Sequence, residues 1–301
     1  MRCLPFILSV AACAVIFLSM AQQAHAEQYN FVTDGGFTNL TTNYGTNYNS
    51  NGGQMGNNVD VVGWSNTAAT NSFDKTNNQG GTNSIGYNFL FTTNMVNNTN
   101  PVYGNGGFYN GAATSPLSLW NNKNGGSTDN FTNPPGNGNF IAADGGFQTA
   151  AITQTITGLT TNNYYQLTFY YAAAQQTDQL TNTTESWQVS MTGTNGNNFT
   201  TNTPTLSNRP AGFTGWDLET INFKASSSTE VLSFLAAGTP TGGPPFSLLA
   251  DVSIVAVPEA SSVITAALLL LILCAAPLLK SLKEKEGETL GSSEGAASGD
   301  P

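Results

Sequence analysis

Residues 263–279 form a run of 17 in which one Thr and one Pro interrupt otherwise apolar side chains; Lys280, Lys283 and Lys285 follow it. A helix needs about 20 residues to cross the hydrocarbon core of a bilayer, with roughly 17 as the lower limit. Residues 260–262 extend the run to that length. A helix on a soluble surface places a polar residue every third or fourth position, and residues 266–276 contain none. A core helix that is apolar all round needs a large protein to enclose it. The run therefore predicts a C-terminal transmembrane helix. The lysines on one side alone predict that this side stays in the cytoplasm. Everything N-terminal to the run is then exported, and residues 286–301 form a low-complexity, disordered tail.

The other end agrees. Arg2 gives a small positive region, residues 4–20 are apolar, and Ala24-His25-Ala26 fits the small-x-small cleavage pattern. Residues 1–26 are expected to be a signal peptide cut before Glu27. Val10-Ala11-Ala12-Cys13 offers a looser lipoprotein alternative. Cys3 and Cys13 leave with that peptide, and Cys274 lies in the apolar run. The exported region, residues 27–256, can form no disulfide, so its own core must hold it together. About 230 residues suffice for that.

The region's sole polarity source is not charge. Charged residues make up 9% of the chain, against about 25% in an average domain. Asn, Thr, Gly and Ser stand in their place, residues of turns and strand faces rather than helices. A net charge of -10 argues against nucleic acid, which needs a basic face.

Short alternating runs separated by turn signals predict an all-β domain. Ile152, Gln154 and Ile156 share one face; Tyr165, Leu167, Phe169 and Tyr171 share another; Trp187, Val189 and Met191 a third. Further strands are expected at 28–32, 59–64, 84–91, 137–142, 215–223 (with a bulge), 229–235 and 247–256. Asn195-Gly196 marks a hairpin turn. Residues 39–137 read as a loop-rich insertion. Asp-Gly-Gly-Phe occurs twice, at Asp34 and Asp144, and is expected to be one reused turn rather than a duplication.

Two resemblances add to this. Val257-Pro258-Glu259-Ala260-Ser261-Ser262, followed by the apolar run and the lysines, resembles the PEP-CTERM sorting tail of exported bacterial proteins (257–285). Ala260 stands where that signature has a second Pro, and the chain runs on to Pro301. The resemblance implies that an exosortase-like enzyme reads Val257, Pro258 and Glu259, cuts nearby and delivers the protein to the cell envelope, surface or matrix. Ile152-Thr153-Gln154-Thr155-Ile156, Tyr165-Gln166-Leu167-Thr168-Phe169, Phe213-Thr214-Gly215-Trp216 and Leu249-Ala250-Asp251-Val252 are similar to the jelly-roll, galactose-binding-like β-sandwich domains that accompany such tails. This second likeness implies polysaccharide binding. It also implies a structural calcium between the first turn and the last strand, at Asp34 and Asp251, although Thr38 occupies a position where that family often has an acidic residue.

The chain's one His, His25, falls in the signal peptide, so the exported region has neither His nor Cys. This removes Ser-His-Asp and Cys-His catalysis and His- or Cys-bound zinc. A glycoside hydrolase built on carboxylates alone would use Asp178 with Glu185, or Asp217 with Glu219. The last two share a strand face about 7 Å apart. Sugar binding needs an aromatic face beside amide or carboxylate groups. Trp120 and Tyr109, in the loop-rich stretch, are the expected contacts, while Trp187 is expected in the core and Trp216 near a turn. The reading is an exported, membrane-tethered, non-enzymatic protein that binds polysaccharide. Its alternatives are a structural envelope component without a small ligand and the carboxylate-only hydrolase.

Overall fold

The computed structural model describes residues 29–41, 52–56, 59–66, 73–74, 84–92, 102–104, 117–120, 131–177 and 179–257. The expected signal peptide, the apolar run, Pro258, Glu259, Tyr109 and Asp178 lie outside them. Among the described residues every regular element is a strand, and no helix is long and apolar enough to cross a membrane.

The first half of the chain holds short strands: β1 (Leu40–Thr41), β2 (Gly52–Gln54), β3 (Asp60–Val61), β4 (Phe73–Asp74), β5 (Ser84–Ile85), β6 (Asn88–Phe91), β7 (Val102–Gly104) and β8 (Leu117–Leu119). Longer ones follow: β9 (Phe140–Asp144), β10 (Ile152–Thr157), β11 (Tyr164–Gln175), β12 (Thr183–Gly193), β13 (Asn198–Asn202), β14 (Leu206–Asn208), β15 (Asp217–Lys224), β16 (Thr229–Thr239) and β17 (Pro245–Ala256). One sheet runs β10-β16-β12-β13, with β14 also on β12; the other runs β15-β11-β17-β9-β6-β2. From β9 onward the chain steps repeatedly from one sheet to the other. The result is a β-sandwich.

Alternation builds it. The inward residues of β10, β11, β12 and β16, among them Ile152, Leu167, Phe169, Trp187, Val189 and Phe234, are fully buried in one core. Each contributes about 1.5–3 kcal/mol by leaving water. Trp187 fills the centre, donating its indole N–H to Leu248 O at 3.0 Å. The six-stranded sheet is also buried on part of its outer face. There Phe89, Phe91, Phe140, Phe246 and Leu248 form a second cluster, covered by Leu117, Leu119, Phe131 and Phe213.

Several strands differ from expectation for identifiable reasons. Residues 29–33 are no strand: Phe31 N bonds Ile254 O, but the Ile254 N–H goes to the Asn30 side chain, which replaces a ladder rung. The strand expected at 59–64 stops at Val61, ahead of the left-handed Gly63 (φ 82°). The run expected at 84–91 breaks at Gly86 and Tyr87 into β5 and β6, which belong to different sheets. β15 has no bulge; its register to β11 is continuous, so Leu218 points outward and is exposed. The stretch 39–137 contains strands, and β6 pairs directly with β9. The Asn195-Gly196 turn joins β12 to β13 as expected, with Gly196 left-handed (φ 82°). The two Asp-Gly-Gly-Phe copies fold differently. Asp34 and Phe37 are left-handed, and the Asp34 carboxylate takes the amides of Thr38 and Asn39. Asp144 Oδ1 takes those of Gly146 and Phe147.

Candidate functional site

The outer face of the six-stranded sheet has two halves. One is sealed by the second apolar cluster. In the other, Gln166 of β11 stands between Asn222 of β15 and Val255 of β17, and Thr168 stands between Thr220 and Ser253. Opposite residues in an antiparallel pair share a face, so five amides and hydroxyls stand together on it beside Val255. All six are exposed or half-buried, and Gln166 Nε2 donates to Asn222 Oδ1 at 3.3 Å. Tyr170 and Trp216, both half-buried, pack against the apolar cluster at its edge. Trp216 meets Phe140 and Phe213 edge-on, with ring centroids 5.6 and 6.1 Å apart, and its N–H is held by Thr132 O at 3.0 Å.

A β-bulge marks the seam between the halves. Ala250 is covered, Ser253 is open, and the left-handed Asp251 (φ 50°) lies between them. Asp251 Oδ2 accepts the Gly136 amide at 2.8 Å. Burial raises its pKa, partly offset by that bond. Hydroxyls and amides bond sugar hydroxyls in both directions, and an aromatic flank accepts the apolar face of a sugar ring. Sequence reasoning picked out the inward face of β11 and passed over Gln166 and Thr168, the complementary set of the same alternation.

The residues expected to bind sugar fare differently. Trp120 is half-buried; its indole N–H bonds Gln179 O at 2.8 Å and its backbone N–H bonds Gln175 O at 2.9 Å. All four tryptophans thus donate to backbone carbonyls, Trp64 to Thr33 and Asp34. Trp187 is in the core, as expected, whereas Trp216 packs on the second apolar cluster just ahead of β15.

The first turn does pack on the last strand, as the calcium expectation requires: Val252 N bonds Gly35 O, and Asp251 Oδ1 lies near Gly36. The Asp34 carboxylate there is engaged by donors of its own turn. Asp34 Oδ1 already accepts both the amide and the hydroxyl of Thr38, and Oδ2 accepts the Asn39 amide. The Asp34, Gly36 and Phe37 carbonyls are likewise occupied by N–H groups. Asp34 Oδ2 and the Gly36 and Phe37 carbonyls each keep a further lone pair, and Asp251 gives only Oδ2 to the Gly136 amide. Among the described residues no three of His, Cys, Asp and Glu cluster.

Asp217 and Glu219 lie opposite Tyr171 and Phe169 in the β15–β11 register. The Tyr171 hydroxyl is raised by burial and then by both carboxylates, and Glu219 is raised by burial. Asp217 also lines an open cleft of about 540 Å³, with Ser207, Asn208, Arg209 and Thr214. Three other carboxylates are almost wholly buried, one of them Glu230, whose Oε1 accepts from Ser226 and Ser227. Asp144 is pushed up to about 7 and Glu185 to about 8, in both cases mainly by burial. Thr183 is close enough to Glu185 to favour its anion slightly, yet no hydrogen-bond geometry joins them.

No protein family matches the chain, and no curated protein does. Similar solved structures include a cyclase from Fischerella sp. TAU in complex with 4-(1H-indol-3-yl)butan-2-one. It is 13% identical over 76% of this chain and 98% of that one, with a TM-score of 0.41. Another is the CBM22-1 xylan-binding domain of Paenibacillus barcinonensis Xyn10C, 11% identical over 48% of this chain and 82% of that one, TM-score 0.27. A third is the enzymatically active domain of bacteriophage CBA120 tailspike protein 4, at 13% identity and TM-score 0.26. That match covers 40% of this chain but only 15% of the tailspike domain.

Proposed function

We propose that this chain is an exported, non-enzymatic module of jelly-roll type that binds polysaccharide through the open half of its six-stranded sheet. One observation carries the reading: a sheet face sealed at one end by apolar side chains continues as a set of amides and hydroxyls beside Trp216 and Tyr170. The core is complete without that array. The bound glycan lies across β15, β11 and β17, with a ring against the aromatic flank. Val257, Pro258 and Glu259 then direct sorting through an exosortase-like enzyme, and the apolar run holds the chain in the membrane until it is cut.

Binding is tested with the full chain by affinity electrophoresis in neutral polysaccharides and on glycan arrays. Replacing Gln166 and Asn222 together by Ala removes hydrogen bonds worth about 0.5–1.5 kcal/mol each, so affinity should fall roughly 5- to 100-fold with an unchanged melting temperature. Affinity that survives the double change refutes the site; absence of binding to any glycan leaves a structural envelope component. A second reading has the cleft in its favour, because Asp217 lines it and Glu219 shares its strand face. Glycan hydrolysis lost in Asp217→Asn or Glu219→Gln would establish that reading instead.

Sorting is tested by the mass of the exported form in its native cell. An end near residues 256–262 and release from the membrane is the expected result. A membrane-bound form retaining residues 280–301 would leave a plain anchor.

A further inference from the structure

Tyr164 opens β11 and is 53% exposed. Its backbone is held on both sides: Lys224 lies opposite it on β15, and Val257 donates to its carbonyl at 2.9 Å. It has the same parity as Gln166, Thr168 and Tyr170, so all four stand on the outer face. In the β11–β15 ladder they lie opposite Lys224, Asn222, Thr220 and Leu218, and every one of these residues is exposed or half-buried. Lengthwise the face therefore reads Tyr and Lys, then amides, then hydroxyls, then Tyr and Leu beside Trp216. The carboxylates of β15, Asp217 and Glu219, have the other parity and turn away from it. From Tyr164 to Tyr170 the strand measures about 20 Å, the length of roughly four sugar units in an extended chain. Across the strands the face is shorter. β9 pairs with β17 only at residues 246–249, so beside Gln166 and Thr168 the face is β15, β11 and β17 alone, about 10 Å wide.

We propose that Tyr164 and Lys224 form the far end of the glycan face, and that its ligand is a linear, extended polysaccharide seated lengthwise along β11. The inference rests on the polysaccharide reading of this face and names the class of chain it takes. A chain lying at right angles to the strands would meet one row of groups and at most one of the two tyrosines. A chain lying along β11 meets both, with the amides and hydroxyls between them. Tyr164 and Tyr170 accept the apolar faces of two sugar rings. Gln166 and Asn222 bond sugar hydroxyls in both directions, whereas Lys224 has three donors and no acceptor and holds hydroxyl or ring oxygens alone.

The test is calorimetry of the full chain in detergent with cello-, xylo- and laminari-oligosaccharides, from di- to hexasaccharide. In a series that binds, affinity should climb to about the tetrasaccharide and then level. Tyr164→Ala should weaken hexasaccharide binding roughly 2- to 12-fold, remove the last step of that climb and leave the melting temperature unchanged. Tyr164→Phe, which keeps the ring, should bind as the wild-type chain does. Affinity that is equal from di- to hexasaccharide, or hexasaccharide affinity unaltered by Tyr164→Ala, overturns the lengthwise seat; the polysaccharide reading then still stands if replacing Gln166 and Asn222 weakens binding. If none of the three series binds, Tyr164→Ala is compared with the wild-type chain on the array glycan that does, with weaker binding expected and equal binding overturning the inference. A chain that binds no glycan at all overturns both.

Discussion

Asp144 and Glu185 are two buried groups that shape the response of this protein to pH, and Asp144 shows how. One oxygen takes the amides of Gly146 and Phe147; the other is buried without a partner. Its pKa rises from 3.8 to about 7 because the desolvation cost exceeds the benefit of those amides. The folded state thus holds a proton that the unfolded state has released. Its contribution to stability is complete below pH 3.8, declines as pH rises, and is gone above about 7. Urea midpoints should fall between about pH 5 and 7, and Asp144→Asn should flatten that slope by up to about 1.4 kcal/mol per pH unit. An unchanged slope would mean that water reaches the group. The sequence contained the Asp-Gly-Gly-Phe motif but not this outcome. The same four residues leave a half-buried carboxylate at Asp34 and a wholly buried one at Asp144, because Asp144 ends β9, an interior strand of the six-stranded sheet, while Asp34 stands in a turn.

Among elements, β17 decides most. It lies between β11 and β9, and its bulge at Asp251 is where the first turn docks. Gly35 makes that docking possible, since a Cβ there would stand 1.8 Å from Val252 O. Gly35→Ala must push the turn off the strand. A cost of about 1–3 kcal/mol is expected, read as a drop of roughly 2–12 °C in melting temperature; a drop under about 2 °C would show that the turn docks loosely. Strands of this half of the chain were legible in the sequence because their periodicity is clean: Ile152, Gln154 and Ile156, and Tyr165 through Tyr171, face inward as their spacing dictates. β6 was not. It is buried on both faces, so Phe89, Leu90 and Phe91 show no alternation that could reveal a face. The open array was half legible. Gln166 and Thr168 follow from the parity of β11, but their neighbours on β15 and β17 depend on pairings between residues about 50 to 90 positions apart, set by the register rather than by any local pattern.

At the scale of the whole molecule, the proposed glycan face and the open cleft meet at β15 of the same sandwich. Low charge fits this arrangement, since the exposed strand faces are polar through Thr, Asn and Gln and leave a surface on which a neutral glycan meets few competing ion pairs. Phe31 lies beside Ile254, and Val257 bonds Tyr164 O, so the described chain begins and ends at one edge. A pull at Val257 therefore enters along β17, an interior strand bonded on both sides. Such a load shears many rungs at once, where an edge strand would unzip one by one. A protein held to a surface by the segment beyond Val257 would bear tension from a bound polymer through the strand best placed to resist it.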